Sequence, residues 1–426
     1  MKHPNLYRLA AGVCAALLLL CGPCACGDGE TLEPTDGTTA SSPASSASAA
    51  STAGTSGEST SSGETTSSSG TSSSDAGDTP TTGTTVSSVS HRLTAALEQW
   101  HPGVLGYDAD YLLSVELDGA RVRADRLTYT CDAAGVRFDG AHMTVSSDTR
   151  QKGVPLTVHI RDNETGAETA LSVPCKAWEQ TFGDEFDGTA LDDDKWTTFE
   201  EGSGGTISMQ YRDNAQVRNG KLELSVRKET ITYNGKTYEY TQGGVCTNGR
   251  FKQVGGLFTA AMKIPTQSSL NSAFWLIPGG GYGRAYMCYD STAPQKGLAE
   301  IDIVEISNYW GNKYCIGEHF YDTEDNLSHS SRGASYVALE RDATEHFVEY
   351  SVAWLENGLY YYADGRLMYA DEQITPTGAD DRDGRAAFII LTLGLYDESN
   401  SWCGPFRFTD DDFPITLQVD FVRAYR

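Results

Sequence analysis

The stretch that decides the fold reads Ala299-Glu300-Ile301-Asp302-Ile303-Val304-Glu305-Ile306. Its aliphatic residues are mostly β-branched, which favours a strand, and their alternation with Glu300 and Asp302 predicts one buried and one open face. Strict alternation would turn Glu305 toward the buried face. A one-residue β-bulge at Ile303-Val304 would return Glu305 to the side of the other two acids. The sequence therefore predicts three carboxylates on one face of a strand.

Three acids on one short face indicate chemistry, because like charges in this position repel one another and do not stabilise the strand. Retaining cleavage of a glycosidic bond needs two carboxyl groups about 5–5.5 Å apart, a nucleophile and a proton donor. Neighbouring negative charge raises the pKa of the donor and keeps it protonated. The competing interpretation is an ordinary solvated strand face. We therefore treat Glu300 and Glu305 as candidate catalytic residues, with Asp302 as their helper.

Residues 177–426 form the predicted catalytic domain. Their short predicted strands are 221–227, 256–264, 273–277, 347–354, 359–363 and 416–425, and long helical periodicity is absent. The pairs Asn357-Gly358 and Asp364-Gly365 are typical turns between strands. This pattern predicts an antiparallel jelly-roll β-sandwich whose concave sheet forms a cleft, which suits a long polysaccharide that is cut internally.

The hexapeptide Glu300-Ile301-Asp302-Ile303-Val304-Glu305 resembles the signature of glycoside hydrolase family 16 in its bulge-containing form, the group of laminarinases, agarases and carrageenases. The resemblance covers residues 178–426, because further landmarks follow in the family's order. They are 184–188 with Leu191-Asp192 and Lys195-Trp196, 217–222, 273–278, 317–320 and 419–425. The hexapeptide alone is moderately specific, and the ordered set is strong.

The resemblance implies a retaining, endo-acting hydrolase of a β-linked polysaccharide. Glu300 would attack the anomeric carbon, and Glu305 would protonate the leaving oxygen and then deprotonate water. Asp302 would hold and tune the pair. No organic cofactor is needed for this chemistry.

The candidate substrate-binding residues are aromatic residues and one histidine. Sugar rings have apolar faces that stack on aromatic side chains. Trp275 and His319 match cleft positions of the family, and packing in the core is the alternative for each. Looser candidates, without a matching motif, are Trp310, Tyr396 and Trp402.

Several positions depart from the laminarinase pattern. Ile207-Ser208-Met209 stands where an Asn-Glu pair is usual, and Leu270-Asn271-Ser272 stands where a tryptophan-proline pair is usual. Residues 279–297 form a Gly- and Tyr-rich insertion beside the predicted cleft. These departures concern the substrate and not the type of reaction. A β-1,3- or mixed-linkage glucan is the first expectation, and a galactan is the next.

Two other functions share this scaffold. A non-catalytic cell-surface glycan binder has no need of both glutamates, so the presence of Glu300 and Glu305 favours an enzyme. A transglycosylase would use the same residues and differ only in its acceptor. The sequence does not separate a transglycosylase from a hydrolase.

The resemblance also implies a structural calcium ion away from the cleft. Backbone carbonyls of Glu185 and Gly220 and the carboxylate of Asp420 would hold it, and hard oxygen ligands suit this ion. The alternative is a turn that binds no ion.

Cysteines outside the first 26 residues are candidates for disulfides. Cys131 and Cys175 are a candidate pair in the domain before the catalytic one. Two further bridges, in any of three connectivities, are open to Cys246, Cys288, Cys315 and Cys403. Zinc is the rival explanation, but no close Cys/His spacing supports it.

The chain has 426 residues, a formal net charge of -26 and a pI of about 4.6. Such a charge argues against nucleic acid or an anionic membrane surface as partner and suits an uncharged substrate. A highly sulfated polysaccharide would need a local basic patch, and no long basic run is present. We expect a monomer.

Residues 1–26 are typical of an export signal, with Lys2 and Arg8 before a short apolar segment at 9–20. The apolar segment is too short for a typical spanning helix. Candidates for the lipidated cysteine of a bacterial lipoprotein are Cys21, Cys24 and Cys26, of which Cys26 fits best. An ordinary cleaved signal is the alternative, and both interpretations place the protein outside the cytoplasm.

Residues 27–90 are rich in Ser, Thr, Gly and Ala and predict a flexible stalk, because so few apolar residues cannot offset the entropy of ordering. Residues 91–176 follow as a second unit. Alternating segments at 111–117 and 156–160, with the turn pairs Asp118-Gly119 and Asp139-Gly140, predict a small β-sandwich. It is similar to bacterial immunoglobulin-like modules. A spacer is favoured over a carbohydrate-binding module, because no aromatic platform is evident.

Overall fold

The computed structural model describes residues 90–202, 206–278, 297–321, 329–356, 358–372, 386–397, 399–400 and 402–426. The predicted export signal, almost all of the predicted stalk, Cys288 and the insertion up to residue 296 lie outside the described residues. Strands dominate the described part, as expected for β-branched and aromatic runs that are punctuated by turn pairs. No helix within it is long and apolar enough to cross a membrane.

The first strands of the described chain build two small sheets. Their elements are β1 (Leu93–Leu97), β2 (Ala109–Leu117), β3 (Ala120–Arg121), β4 (Leu127–Thr130), β5 (Val136–Asp139), β6 (His142–Val145), α1 (Ser147–Arg150), β7 (Leu156–Asp162) and β8 (Glu168–Val173). One sheet has the order β1-β2-β6-β5 with β3 beside β2, and the other has the order β4-β7-β8. The two sheets share one core, which includes Tyr111, Met143 and Val158. The likeness to immunoglobulin modules stays a prediction.

The remaining strands build two larger sheets. They are β9 (Gln180–Asp184), β10 (Thr197–Thr198), β11 (Glu201–Gly202), β12 (Met209–Gln210), β13 (Ala215–Arg218), β14 (Lys221–Tyr233), β15 (Lys236–Gln242), β16 (Gly244–Cys246), β17 (Gly256–Lys263), β18 (Leu270–Pro278), β19 (Gly297–Ile306), β20 (Lys313–Tyr321), β21 (His329–Ala338), β22 (Val348–Leu355), β23 (Gly358–Ala363), β24 (Arg366–Asp371), β25 (Ala387–Leu395) and β26 (Ile415–Tyr425). Short 3-10 turns lie at Ala124–Arg126, Arg212–Asn214, Asn308–Trp310 and Asp410–Asp412.

The seven-stranded front sheet has the order β10-β16-β25-β18-β19-β20-β21. The eleven-stranded back sheet has the order β11-β12-β15-β14-β26-β17-β22-β23-β24, with β13 beside β14 and β9 beside β26. One apolar core fills the space between them, with Phe274 and Ile303 from the front sheet and Val226 and Val352 from the back sheet. The fold is the predicted all-β jelly-roll sandwich.

The back sheet also packs against the small sheets on its outer side. Tyr360 and Tyr362 share an apolar cluster with Val104 and Trp178. The hydroxyl of Tyr362 accepts a hydrogen bond of 3.2 Å from the backbone N–H of Gly103, and the indole N–H of Trp178 donates to the carbonyl of Gly103 at 3.1 Å. The strands before residue 176 are therefore docked on the catalytic sandwich.

A buried arginine fixes the segment that makes these contacts. The guanidinium of Arg150 donates to the carbonyls of Pro102 at 2.7 Å and of Val104 at 2.9 Å, and also to that of Tyr107. Gly103 has a φ of 68°, and an added Cβ would lie 2.3 Å from Nη1 of Arg150. Only glycine lets the chain pass the guanidinium in this conformation.

The disulfide prediction is wrong for Cys131 and Cys175, which are free thiols and pack against the core of the small sheets. Cys403 is also a free thiol and is buried, so the two bridges predicted among Cys246, Cys288, Cys315 and Cys403 do not both form. Thiols behave as small apolar side chains in such places, which explains their positions without a bridge.

Candidate active site

Strand β19 contains the predicted bulge. Against β18, Val304 lies opposite Phe274 and Asp302 lies opposite Trp275, so Ile303 has no partner in that register. Ile303 and Val304 are both buried in the core between the sheets. Two successive side chains therefore point inward, and the alternation shifts by one residue, so that Glu305 lies on the same face as Asp302. The bulge predicted from the sequence is confirmed.

A second irregularity in β19 was not predicted. Against β20, Leu298 lies opposite Phe320 but Glu300 lies opposite His319, so Ala299 is an extra residue in the ladder. This shift places Glu300 directly across from His319. The sequence gives no signal of it, because an alanine fits a regular strand and a bulged strand equally well.

Glu300, Asp302 and His319 converge on the open face of the front sheet. One ligand atom from each lies within 4.8 Å of the others, and Asp302 Oδ2 lies 3.0 Å from His319 Nε2. Atoms this close could also hold a divalent cation, although glycosidic cleavage by carboxylates needs none. The His319 side chain is 16% exposed, which places it in the cleft and not in the core.

A glycine makes room for the central aspartate. Gly317 lies opposite Asp302, and an added Cβ would come within 2.5 Å of Oδ2 and 3.3 Å of Cβ of Asp302. Real Cβ atoms do not approach other atoms this closely. Gly317 therefore belongs to the site. The sequence analysis named it only as part of the segment 317–320 that contains the predicted histidine His319.

Asn271 is a site residue that the sequence analysis missed. Its amide nitrogen donates a hydrogen bond of 3.0 Å to Oε1 of Glu305. Asn271 belongs to the segment that departs from the laminarinase pattern. Its parity on β18, the same as that of Ala273 and Trp275, could have indicated that its side chain faces the cleft.

Burial raises the pKa of every carboxyl in the site. The pKa of Glu300 rises to about 8 through burial and the charge of Asp302, and that of Glu305 rises to about 7 through burial and the charge of Glu300, against the hydrogen bond from Asn271. The pKa of Asp302 is raised by burial and by the charge of Glu305. Burial alone lowers the pKa of His319, but contact with Asp302 and the charges of the glutamates raise it to about 10.

The site therefore combines an imidazolium with carboxyl groups that share protons at neutral pH. Glu300 and Asp302 are in hydrogen-bonding contact, so one proton between them serves both. The pKa of Glu305, about 7, lets this carboxyl group gain and lose a proton near neutral pH. A site with one ionised and one protonated carboxyl can transfer a glycosyl group.

The three loosely predicted aromatic residues come together in one cluster. Trp310 and Trp402 have ring centroids 4.8 Å apart, and those of Tyr396 and Trp402 are 6.3 Å apart. The indole N–H of Trp310 donates to the carbonyl of Trp402 at 2.6 Å. The cluster lies near the Glu305 end of β19, because the hydroxyl of Ser307 donates to the carbonyl of Cys403 at 3.4 Å.

Trp275 is half-buried on the open side of the front sheet. Its indole N–H lies 3.3 Å from the hydroxyl of Thr392, and its ring packs on an apolar cluster that includes Ile277 and Phe388. It stands opposite Asp302 in the neighbouring strand. This position fits the prediction that Trp275 lies beside the reacting sugar, which stays a prediction.

Of the three residues predicted to hold calcium through the backbone carbonyls of Glu185 and Gly220 and the carboxylate of Asp420, Asp420 and Glu185 have side chains that form ion pairs in this structure. Oδ1 of Asp420 accepts a hydrogen bond of 2.7 Å from the ammonium of Lys221, and the carboxylate of Glu185 binds the guanidinium of Arg423 at 2.7 Å. Gly220, with a φ of 70°, forms the turn before Lys221. A calcium ion at Asp420 would have to displace Lys221, so the Asp420 carboxylate does not fit the ion as it stands. The calcium site stays a prediction.

The fold and the carboxyl cluster together define the protein as a glycosidase. A family model described as the GH16 domain of β-porphyranases A–D matches residues 178–426. The chain therefore belongs to glycoside hydrolase family 16. It is an endo-acting β-glycan hydrolase of this family, whose chemistry needs no catalytic cofactor.

Several characterised proteins are similar to this chain. A β-glucanase of Rhodothermus marinus is 28% identical over 297 residues, which cover 67% of this chain and 97% of that protein. Glucan endo-1,3-β-glucosidase A1 of Niallia circulans is 24% identical, over 57% of this chain and 37% of that protein. β-Porphyranase B of Zobellia galactanivorans is 26% identical, over 51% of this chain and 76% of that protein.

Solved structures are also similar. The endo-β-1,3-glucanase from Pyrococcus furiosus has a TM-score of 0.47 and 25% identity, over 58% of this chain and 94% of that one.

Proposed function

We propose that the protein cleaves a β-linked polysaccharide internally and with retention of configuration, through Glu300 and Glu305. The observation that carries this proposal is the bulge, which puts both glutamates on the open face of the front sheet with Asp302 between them. Burial and neighbouring charge raise both glutamate pKa values toward neutrality. Retaining glycosidases need one carboxyl group as nucleophile and a second as proton donor.

The reaction has two steps. Glu300, ionised, attacks the anomeric carbon while Glu305 gives its proton to the departing glycosidic oxygen, which leaves a covalent glycosyl ester on Glu300. Glu305, now ionised, takes a proton from water. The resulting hydroxide attacks the same carbon, the ester bond breaks, and both glutamates return to their first state.

Asp302 and His319 keep Glu300 ready for attack. When Asp302 holds the proton of the pair, it donates to Glu300 and leaves Glu300 ionised. The imidazolium of His319, 3.0 Å from Asp302, stabilises the negative charge that the pair shares. This assignment gives each of the four titratable groups one task.

The first candidate substrate is a β-1,3- or mixed-linkage glucan. The names of the relatives from Rhodothermus marinus and Niallia circulans support it. A galactan is the second candidate, because the matching family model is described as a porphyranase domain. The aromatic cluster of Trp310, Tyr396 and Trp402 offers ring faces on which either sugar could stack.

A panel of polysaccharides with product sizing tests this function. We expect a β-1,3-glucan, a mixed-linkage β-glucan or a galactan to lose viscosity early, and the first products to be oligosaccharides with the β-anomer at the new reducing end. Release of single terminal sugars, or a first product with the α-anomer, would contradict the proposal. Longer products in the presence of an added acceptor would instead identify a transglycosylase.

The Glu300→Ala variant tests the nucleophile. We expect loss of hydrolysis with a retained fold, and azide should restore cleavage and yield an α-glycosyl azide, because it attacks the face that Glu300 vacates. Glu305→Ala should respond to azide with a β-glycosyl azide. Unchanged turnover in Glu300→Ala would remove Glu300 from this role.

We also propose that the protein is exported, is held outside the cytoplasm by a lipid on Cys26, and is monomeric. The composition of residues 1–26 and the Ser- and Thr-rich stretch behind them support export and tethering. Cell fractionation with Cys26→Ala as comparison tests the anchor, and light scattering tests the monomer. A membrane fraction that is unchanged in Cys26→Ala would argue against this cysteine.

A further inference from the structure

Strand β21 contains a bulge that the proposed mechanism does not use. Against β20, two residues of β21, Ser335 and Tyr336, face the single residue Cys315. The residues on either side of this pair, Ala334 and Val337, pack against the core between the sheets. Both side chains of the bulge therefore lie on the open face of the front sheet. Bulges are over-represented next to active sites, where they re-aim a side chain.

Tyr336 lies in the same row of the front sheet as the proposed proton donor. Cys315 of β20 is opposite Glu305 on one side and opposite the bulge on the other. Neighbouring strands lie about 4.8 Å apart, so two strand steps place the backbone of Tyr336 about 10 Å from that of Glu305. A glycan chain that reaches Glu305 and runs across β20 therefore meets the bulge.

The floor between Asp302 and β21 carries no side chain at two successive positions. Gly317 lies opposite Asp302, and Gly333 lies opposite Gly317 on β21. An added Cβ at Gly333 would lie 2.0 Å from the carbonyl oxygen of Ile316, so only glycine fits there. Glycine also permits the close approach of a ligand to the backbone. The path from the acids to Tyr336 therefore stays open at these two positions.

The backbone of Tyr336 adopts a conformation that is costly for a bulky residue. Its φ is 58°, in the left-handed region that glycine occupies more easily. Phe186 has a similar φ of 55°, but its side chain is only 2% exposed, so packing in the core offsets the cost. Tyr336 is 51% exposed and lacks this compensation. Strained residues of this kind are concentrated at functional sites.

The ring of Tyr336 is braced by the aromatic cluster. Its centroid lies 5.5 Å from that of Trp310, and the two ring planes are 88° apart, so the rings meet edge to face. Trp310 is itself fixed, because its indole N–H donates to the carbonyl of Trp402 at 2.6 Å. Tyr336 therefore extends the aromatic cluster to β21 and presents a ring surface that is already held in place. Preorganised groups of this kind bind ligands at a lower entropic cost.

We propose that Tyr336 is a substrate-binding residue, whose ring stacks on a sugar unit of the glycan chain beyond the sugar that reacts. The proposal rests on the function proposed above. The occupant is the substrate chain, because the row of Glu305, Cys315 and Tyr336 continues the open face on which the acids lie. Stacking is equal before and during the reaction, so it lowers KM and leaves kcat unchanged. Substrates too short to reach the ring gain nothing from it.

Tyr336→Gly tests the proposal, because it removes the ring and suits the positive φ. The substrates are a β-1,3-glucan, a mixed-linkage β-glucan, a galactan and the oligosaccharides derived from each. On the polysaccharide that is cleaved, we expect KM to rise about 2- to 10-fold with kcat retained. KM for the shortest oligosaccharide that is cleaved should stay at the wild-type value. Tyr336→Phe keeps the ring and should behave as the wild type, and the Tm of Tyr336→Gly should rise as the strain is relieved.

Asn234→Gly is the matched control. Asn234 also has a positive φ, of 49°, but it lies in the turn between β14 and β15 of the back sheet. Its variant should keep the wild-type KM on every substrate. A wild-type KM of Tyr336→Gly on the polysaccharide, or an equal rise on the shortest oligosaccharide, would overturn the proposal. A rise in Tyr336→Phe as large as that in Tyr336→Gly would overturn stacking on the ring.

Binding without cleavage separates this proposal from the proposed function. Glu300→Ala and the double variant Glu300→Ala/Tyr336→Gly are compared by electrophoresis in native gels that contain each of the three polysaccharides. We expect the polysaccharide to retard the single variant more than the double variant. Equal retardation, with cleavage by the wild type, would refute the role of Tyr336 alone. A wild type that cleaves none of the three, with weaker retardation of the double variant, would refute the function and leave Tyr336 as a glycan-binding residue.

Discussion

At the scale of single residues, two side chains that no motif marks shape the site. Gly317 opens the volume that the Asp302 carboxylate occupies, and Asn271 holds Glu305 by a hydrogen bond of 3.0 Å. Both roles follow from the position of the residue on a strand face and not from the residue type. A site residue that acts by its smallness or by one hydrogen bond leaves little trace in a single sequence.

Replacing Gly317 by alanine should damage the site more than the fold. The new Cβ would overlap the Asp302 carboxylate, so we expect kcat to fall about 10- to 100-fold and the free energy of unfolding to fall by about 1–3 kcal/mol. Kinetics and thermal unfolding measure the two effects. Gly188→Ala is the control, because its nearest contact, 3.4 Å, is ordinary. Wild-type kcat in Gly317→Ala would show that Asp302 can move freely.

Replacing Asn271 by alanine should shift the pH profile. The hydrogen bond from Asn271 lowers the pKa of Glu305, so its removal should raise that pKa above its value of about 7. Glu305 then keeps its proton to higher pH. The alkaline limb of the kcat/KM profile should therefore shift to higher pH, while the maximum value of kcat/KM falls. An alkaline limb that stays in place would mean that another group sets it.

At the scale of elements, the sequence predicted the catalytic strand well and its surroundings in part. Alternation of aliphatic and acidic residues located β19 and its bulge, because parity is a local property. The extension of β14 to Tyr233 and its turn at Asn234-Gly235 were missed, although Ile231 and Tyr233 alternate with polar residues ahead of an Asn-Gly pair, which is typical of a hairpin. The aromatic cluster of Trp310, Tyr396 and Trp402 was not predicted as a unit, because only the fold brings these residues together.

The turn at Gly220 offers a test of the predicted calcium ion. If calcium binds Asp420, it must displace Lys221, and binding to the folded chain alone raises Tm. If the ion binds, millimolar calcium should raise the Tm of the wild type, should raise that of Lys221→Ala further, and should leave that of Asp420→Asn unchanged. A Tm that calcium does not change in any of the three would dismiss the ion.

At the scale of the whole molecule, the small sheets and the catalytic sandwich act as one body. Arg150 holds residues 102–107 in shape, and this segment lies on Tyr362 of the back sheet. The sequence predicted a separate spacer, because the contacts come from Gly103 and Val104 in a segment without a motif. Docking of this kind depends on surface fit, which one sequence does not reveal.

Replacing Arg150 by methionine should destabilise the molecule and spare the chemistry. Three carbonyls would lose a buried donor, so we expect a loss of about 3 kcal/mol or more in the free energy of unfolding. Thermal unfolding measures it, and Arg137→Met is the exposed control. The kcat of the folded variant should equal that of the wild type, and a lower value would show that docking reaches the cleft.

The docked face has a practical consequence for handling the enzyme. The small sheets cover the outer side of the back sheet, while the reacting acids open on the front sheet. A bead or sensor chip coupled through the small sheets would therefore leave the front sheet accessible to a very long polymer.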